Sequence, residues 1–211
     1  MIDTSKIYTS KRGNEFRIIS FTNSKNITIQ FIKTGYSMVA QSTSITRGNV
    51  SDRMSPSLFG VGFLGCGNVK VSINGRTTKA YQSWSNMLER CYLPRRLNEY
   101  PTYRDCFVCN EWHNFQTFAA WHKENYIEGY HLDKDIKVDG NKIYSPDTCL
   151  FVSPIDNNEK AQSKEYVFTN PKGVSVVIYN LNKFCKDNDL DHGCMSHVYF
   201  LRRKQHKGWT K

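Results

Sequence analysis

The chain has 211 residues, a formal net charge of +10 and 13% aromatic residues. That length allows one large domain or two to three small ones, and the aromatic content supplies a packed core and argues against wholesale disorder. No apolar run reaches the roughly 18–20 residues a spanning helix needs, and residues 1–16 lack the apolar stretch of a signal peptide, so a soluble cytoplasmic protein with no membrane partner is expected.

The charge is unevenly spread. Residues 1–79 carry 11 basic and 3 acidic side chains, residues 80–159 carry 8 and 12, and residues 160–211 carry 10 and 4. Basic flanks around an acidic middle suit a polyanion grip around a metal site, because carboxylates hold a cation while Lys and Arg hold phosphates. A nucleic acid is the expected partner.

Residues 1–79 are expected to form a small β-rich domain, either a twisted antiparallel sheet or a barrel. FRIISF and NITIQFI are rich in β-branched and aromatic residues, and Ile27, Ile29 and Phe31 alternate with Thr28 and Gln30. Turns are expected at Gly13, at Asn23–Asn26, at Gly35 and at Asn74-Gly75. Gly60, Gly62 and Gly65 fit the spacing GxGxxG, but NVKVSINGR follows where a dinucleotide fold needs a helix. No nucleotide cofactor is therefore expected, and tight turns account for these glycines.

Residues 80–125 predict two helices joined by the loop LPRRLNEYPTYRD. Tyr81, Trp84, Leu88 and Cys91 share one helical face, and so do Trp112, Phe115, Phe118, Ala119 and His122. Such stripes mark core. The imidazoles of His113 and His122 are expected at the surface.

Residues 130–158 predict a strand over His131–Ile136, a polar loop around Asp139-Gly140-Asn141, a strand over Thr148–Ser153 and a helix from Pro154 carrying Asn157 and Asn158. An Asp on the first strand and an Asn on the helix can converge on one divalent ion, which phosphodiester hydrolysis uses to neutralise the scissile phosphate. In a regular strand His131, Asp133 and Asp135 share a face, and Lys134 points the other way.

Residues 164–211 predict a hairpin turning at Asn170–Gly173 and a helix capped by Asn180 with Leu181, Phe184 and Cys185 inward. A turn at Asp191-His192-Gly193 follows, then a second helix with Met195, Val198 and Leu201 inward. Helix, glycine-containing turn and helix are the elements of a helix-turn-helix. Ser196, His197 and Tyr199 would face base edges, with Arg202, Arg203, Lys204 and Lys207 on phosphates. The whole is read as an α+β chain.

The run SPDTCLFVSPIDNN (145–158) resembles, without a gap, the second strand and helix of the ββα-metal core of HNH endonucleases, in the form found in phage and intron homing enzymes. Upstream, WxxMLxRCY, PTY and CxxCxEWxxF resemble the segment preceding that core. The closing RRKQHKGWT is similar to the ending of nuclease-associated modular domains at the C-termini of such enzymes. The resemblance implies a nuclease core over 80–160 with its two preceding helices, and a C-terminal DNA-binding module over 164–211. It also implies double-stranded DNA as the partner and a phage protein acting inside a bacterial host.

Where the family carries Asp-His, this chain has Asp133-Lys134-Asp135. By the resemblance Asp133 or Asp135 ligates Mg²⁺ or Mn²⁺ with Asn157 or Asn158, and Asn141 ties the loop. The general base is left open among His131, Asp135 and Lys134. His131 has the right intrinsic pKa and lies on the strand face of Asp133. Seven cysteines without a secretory signal argue against disulfides. Cys91, Cys106, Cys109 and Cys149 would supply four thiolates for the structural Zn²⁺ that many HNH proteins use, and buried free cysteine is the other reading. The expected function is a metal-dependent DNA endonuclease. The alternative is a non-catalytic DNA-binding protein on a degenerate HNH scaffold, and RNA is a third, weaker substrate reading. Target sequence and oligomeric state are not written in the chain.

Overall fold

A computed structural model describes residues 2–138, 140–154 and 165–211. Among the described residues small sheets alternate with short helices, an α+β architecture. No helix there is long and apolar enough to cross a membrane. The chain forms two compact units, residues 1–126 with 137–149, and residues 127–136 with 150–211.

In the first unit, β1 (Ile7–Thr9), β2 (Glu15–Asn23), β3 (Asn26–Phe31) and β4 (Ser37–Ala40) pair in sequence order as an antiparallel sheet. It stays an open sheet and does not close into a barrel. Alternation along β3 buries Ile27, Ile29 and Phe31, and along β2 Phe16 and Ile18. These pack with Ile45, from α1 (Ser42–Thr46), and Val50. Asn23 shapes the β2–β3 turn, its Oδ1 accepting from the N–H groups of Lys25 (3.0 Å) and Asn26 (3.1 Å). β5 (Ser72–Ile73) and β6 (Arg76–Thr77) make the expected hairpin, with Asn74 and Gly75 both at positive φ.

α2 (Lys79–Tyr92) starts where the Thr78 hydroxyl accepts from the Tyr81 N–H, and it buries Trp84, Met87, Leu88 and Cys91. The expected loop after it holds α3 (Pro94–Glu99) and a 3₁₀ turn (Pro101–Tyr103), each opened by a proline at its first position. The single helix expected over 111–125 is two: α4 (Asn110–His113) and α5 (Phe115–Asn125). Asn114 is the cause. Its side chain caps α5 by accepting from the Gln116 N–H (3.0 Å), while Phe63 bonds across the break to the His113 carbonyl and the Phe115 N–H (2.9 Å each).

All five residues of the second stripe are buried, His122 included at 5% exposure, which corrects its expected place at the surface. The apolar period won over the imidazole's polarity, and the ring stacks on Tyr126 at 4.5 Å. His113 is half-buried, with its Nε2 3.2 Å from the Tyr92 hydroxyl. The Trp84 indole donates to the Trp112 carbonyl (2.6 Å), tying α2 to α4. Two of the glycines of GxGxxG serve a strap on these helices. Gly62 faces Trp84 and Leu88, and Gly65, at φ +73°, faces the Asn114 amide with no space for a Cβ. β7 (Phe107–Val108) pairs in parallel with β9 (Ile143–Tyr144), which closes the unit.

In the second unit, β8 (His131–Asp133) pairs antiparallel with β10 (Leu150–Val152). β11 (Tyr166–Thr169) and β12 (Ser175–Ile178) form the expected hairpin, with Asn170 Oδ1 accepting from the N–H groups of Lys172 and Val174 (2.9 Å each). α6 (Leu181–Asp187) is capped by Asn180 as its sequence predicts. α7 (His192–Tyr199) is capped by Asp191, which accepts from the Cys194 N–H (2.7 Å). His192 and Gly193 are therefore the first helical residues. The turn falls earlier, at Asp189, which has φ +51°. Phe168, Ile178, Leu181, Cys185, Met195 and Val198 make the core. Leu201, expected inward, is 75% exposed at φ +58°, because the helix has already ended.

Candidate functional site

β8 stops at Asp133 and does not run on to Ile136. Asp133 Oδ1 accepts from the backbone N–H groups of Asp135 and Ile136, both at 2.7 Å, and this Asx-type turn pulls the chain off the strand. The alternation expected at Lys134 and Asp135 is therefore lost. Lys134 is folded inward at 5% exposure, and its Nζ bonds both carboxylate oxygens of Asp135 at 2.7 and 2.8 Å. An ammonium donating to a carboxylate is a charge partner with no lone pair to offer, which argues against Lys134 as base. His131 is exposed and lies opposite Val152, with Asp133 opposite Leu150. His131 and Asp133 thus share one face of the strand pair.

Asp133 suits a cation, since its carboxylate is oriented and both backbone bonds use Oδ1. Asp135 suits one less well, because Lys134 holds both of its oxygens. Asn157 and Asn158 lie outside the described residues, as does Asp139. Among the described residues no three His, Cys, Asp or Glu side chains come together as a metal-holding group. In the first unit Asn141 locks its own turn, Nδ2 donating to the Ile143 carbonyl (2.7 Å) and Oδ1 accepting from the Ile143 N–H (3.3 Å).

The four cysteines named for zinc are all described and do not form such a group. Each sits in its own packing. Cys91 is on the buried face of α2, Cys106 Sγ lies 3.7 Å from the Thr102 carbonyl, and Cys149 lies 4.0 Å from the Thr148 hydroxyl. Burial pushes the Cys109 thiol up to about 11.

No family model matches the chain, and neither does any curated protein. Among solved structures, that of the HNH homing endonuclease I-HmuI, described as DNA binding and cleavage, matches 98% of this chain and 86% of that one. The sequence identity is 15% and the TM-score 0.24, a level at which a superposition does not fix a shared fold.

On α7, Met195 and Val198 face the core, His197 is exposed and Ser196 is half-buried. Tyr199 packs against Tyr166 at 4.8 Å and takes Lys211 over its ring at 4.5 Å, so it is a packing residue and not one turned outward with His197. The basic tail folds back. Thr210 pairs with Thr169 through two backbone bonds, and Trp209 stacks edge-on against Phe184 at 5.2 Å. Arg202 and Lys204 are exposed. Arg203 is held by Cys194 Sγ (2.8 Å) and the Gln205 carbonyl (2.9 Å), and Lys207 is held by Asp189. Only part of the expected phosphate-contacting set is therefore unencumbered.

Arg90, Arg96, Tyr100 and Tyr103, which the sequence alone does not mark as site residues, line an open cleft of about 220 Å³ in the first unit. One cue was available: Arg90 directly precedes the buried Cys91 at the end of an apolar helical stripe.

Proposed function

We propose that the chain is a DNA endonuclease of the HNH type, positioned on DNA by its C-terminal helical module. The observation that carries this reading is the β8–β10 pairing, whose register puts His131 and Asp133 on one face. The uneven charge and the exposed Arg202, Lys204 and His197 supply the polyanion grip.

In this reading Asp133 holds Mg²⁺ or Mn²⁺ together with Asn157 or Asn158. A bound ion of that kind neutralises the scissile phosphate and the leaving oxygen. His131, exposed on the strand face of Asp133, takes the proton of the attacking water at an imidazole nitrogen. Lys134 keeps Asp135 neutralised and so limits carboxylate repulsion of the incoming phosphate. The test is nicking of supercoiled plasmid by the full chain with Mg²⁺ or Mn²⁺, against an EDTA control. Cleavage that persists in EDTA refutes metal dependence.

A second reading has one observation in its favour: Asp133 and Asp135 already have partners on the chain itself. On that reading the chain binds DNA through a degenerate HNH scaffold without cutting it. Retained DNA binding with no cleavage under either metal selects it.

A further inference from the structure

The corner between α2 and α3 carries a cleft that none of these roles uses. Arg90, in the last turn of α2, lies beside the hydroxyl of Tyr144, a residue only 2% exposed. The guanidinium is half-buried, stays charged, and has no carboxylate partner among the described residues. A guanidinium withdrawn from water without a counter-charge is costly, and the cost is relieved when an anion binds.

Arg96, opposite, is already committed. Its Nε meets Glu89 at 2.8 Å, its Nη1 meets Glu99 at 3.4 Å, and Glu99 also takes Arg95 at 2.8 Å. Three arginines thus face two glutamates, and the corner is one negative charge short. Lys142, whose Nζ reaches the Thr102 carbonyl at 3.3 Å, adds a further cation beside the turn that carries Tyr103.

The remaining walls are aromatic. Tyr100 is 50% exposed and carries the Arg96 guanidinium 5.5 Å from its ring centroid, and Tyr103 is half-buried. Planar guanidinium forks match phosphate oxygens, and phenol rings offer stacking faces to a base or sugar. A cleft of about 220 Å³ takes a phosphate and the start of what it is attached to. A bare carboxylate would leave the rings unused.

We propose that this cleft binds the phosphate of a nucleotide, with Arg90 as the principal contact and Arg96 as the second through Nη2, the nitrogen that its pairs with Glu89 and Glu99 leave over. The phosphate comes either from a free mononucleotide or from a nucleic-acid strand. The proposal does not rest on the nuclease reading, since the cleft lies apart from Asp133 and His131 in sequence and involves no cleavage.

The test uses the full chain in EDTA, so that cleavage has no bearing on it. Arginine Nε–Hε resonances are followed during titration with inorganic phosphate, thymidine 5′-monophosphate and a short DNA duplex. The Arg90 and Arg96 signals should shift saturably with the mononucleotide, the duplex or both, with midpoints up to about 10 mM. Response to the mononucleotide alone assigns a free nucleotide, and response to the duplex alone assigns a strand phosphate. Arg90→Gln should weaken the responding ligand roughly tenfold, the worth of one charged hydrogen bond, and Arg90→Lys should restore part of it. Because Arg90 leans on buried Tyr144, Arg96→Gln is the second variant. It should weaken the same ligand several-fold while its melting curve stays cooperative. No shift with any of the three ligands, or an unchanged affinity in folded Arg90→Gln or in Arg96→Gln, overturns the proposal.

Discussion

Asp133 is asked to do two things, and two substitutions separate them. Its Oδ1 accepts two backbone N–H bonds at 2.7 Å, and its carboxylate is the proposed metal ligand. Asp133→Asn keeps an amide oxygen for the turn but removes the charge. Asp133→Ala removes both. Each bond is worth about 0.5–1.5 kcal/mol net, and water replaces part of it at this half-buried position, so Ala should cost about 1.5 kcal/mol. For a chain of this size that lowers the melting temperature by roughly 3–6 °C. Asn should stay within about 0.5 kcal/mol of the parent, the range of substitutions that break no contact. Thermal melting followed by circular dichroism reads the first effect, and plasmid nicking with Mg²⁺ or Mn²⁺ reads the second. Both variants should bind DNA and neither should cut it. If Asp133→Asn cuts at the parental rate, Asp133 is not a metal ligand and its role ends at the turn. If Ala melts no lower than Asn, the turn assignment fails.

Four further outcomes are expected. His131→Ala should slow cleavage roughly 10²–10⁴-fold with DNA affinity retained, and a silent His131→Ala beside a dead Lys134→Ala would move the base to Lys134. Burial lowers the His122 and His113 pKa values below 6.5, so the unfolded chain takes up their protons first. Stability is then present above about pH 6.5 and falls as pH drops through that value toward the lowered native pKa. His122→Phe should flatten that fall in urea titrations run between pH 7 and pH 5, because the stacking on Phe118 and Tyr126 is kept and the proton is not. Gly65→Ala forces an alanine to φ +73° and pushes its Cβ into the Asn114 amide that caps α5, so urea denaturation should show a loss of about 2–3 kcal/mol. Replacing Arg202 and Lys204 by Ala should weaken binding to all DNA sequences alike, with the salt dependence shallower by about 0.9 per lost phosphate contact. An unchanged slope removes them from the interface.

Periodic and capping features were readable from the chain. Ile27, Ile29 and Phe31 alternate in sequence and are buried in the structure, and Asn180, Asn170 and Asn74-Gly75 act where their side-chain chemistry places them. What stayed hidden depends on partners distant in sequence. The helix over 111–125 breaks at Asn114 because Phe63 bonds into the gap. The parallel pairing of β7 with β9 joins two-residue strands too short to carry a period. At the candidate site, residue alternation predicts a strand running past Asp133, whereas the carboxylate's own bonds to the next N–H groups end the strand there. Helical spacing puts Tyr199 toward the groove, because a helical wheel does not show Tyr166 waiting on the hairpin.

The parallel β7–β9 pair also governs how this chain can be dissected. Residues 137–149 belong to the unit built from residues 1–126, while the stretches on either side of them, 127–136 and 150–211, belong to the other. The backbone passes between the units more than once, so no single cut yields both intact. A fragment ending at residue 126 would leave Phe107–Val108 without their partner strand and would lose the buried Tyr144 and Cys149. A fragment starting at 127 would carry those residues with nothing of their own to pack against. Limited proteolysis should therefore give nicked chains that stay associated until denaturant is added, and expression of either half calls for grafting 137–149 across as a separate segment.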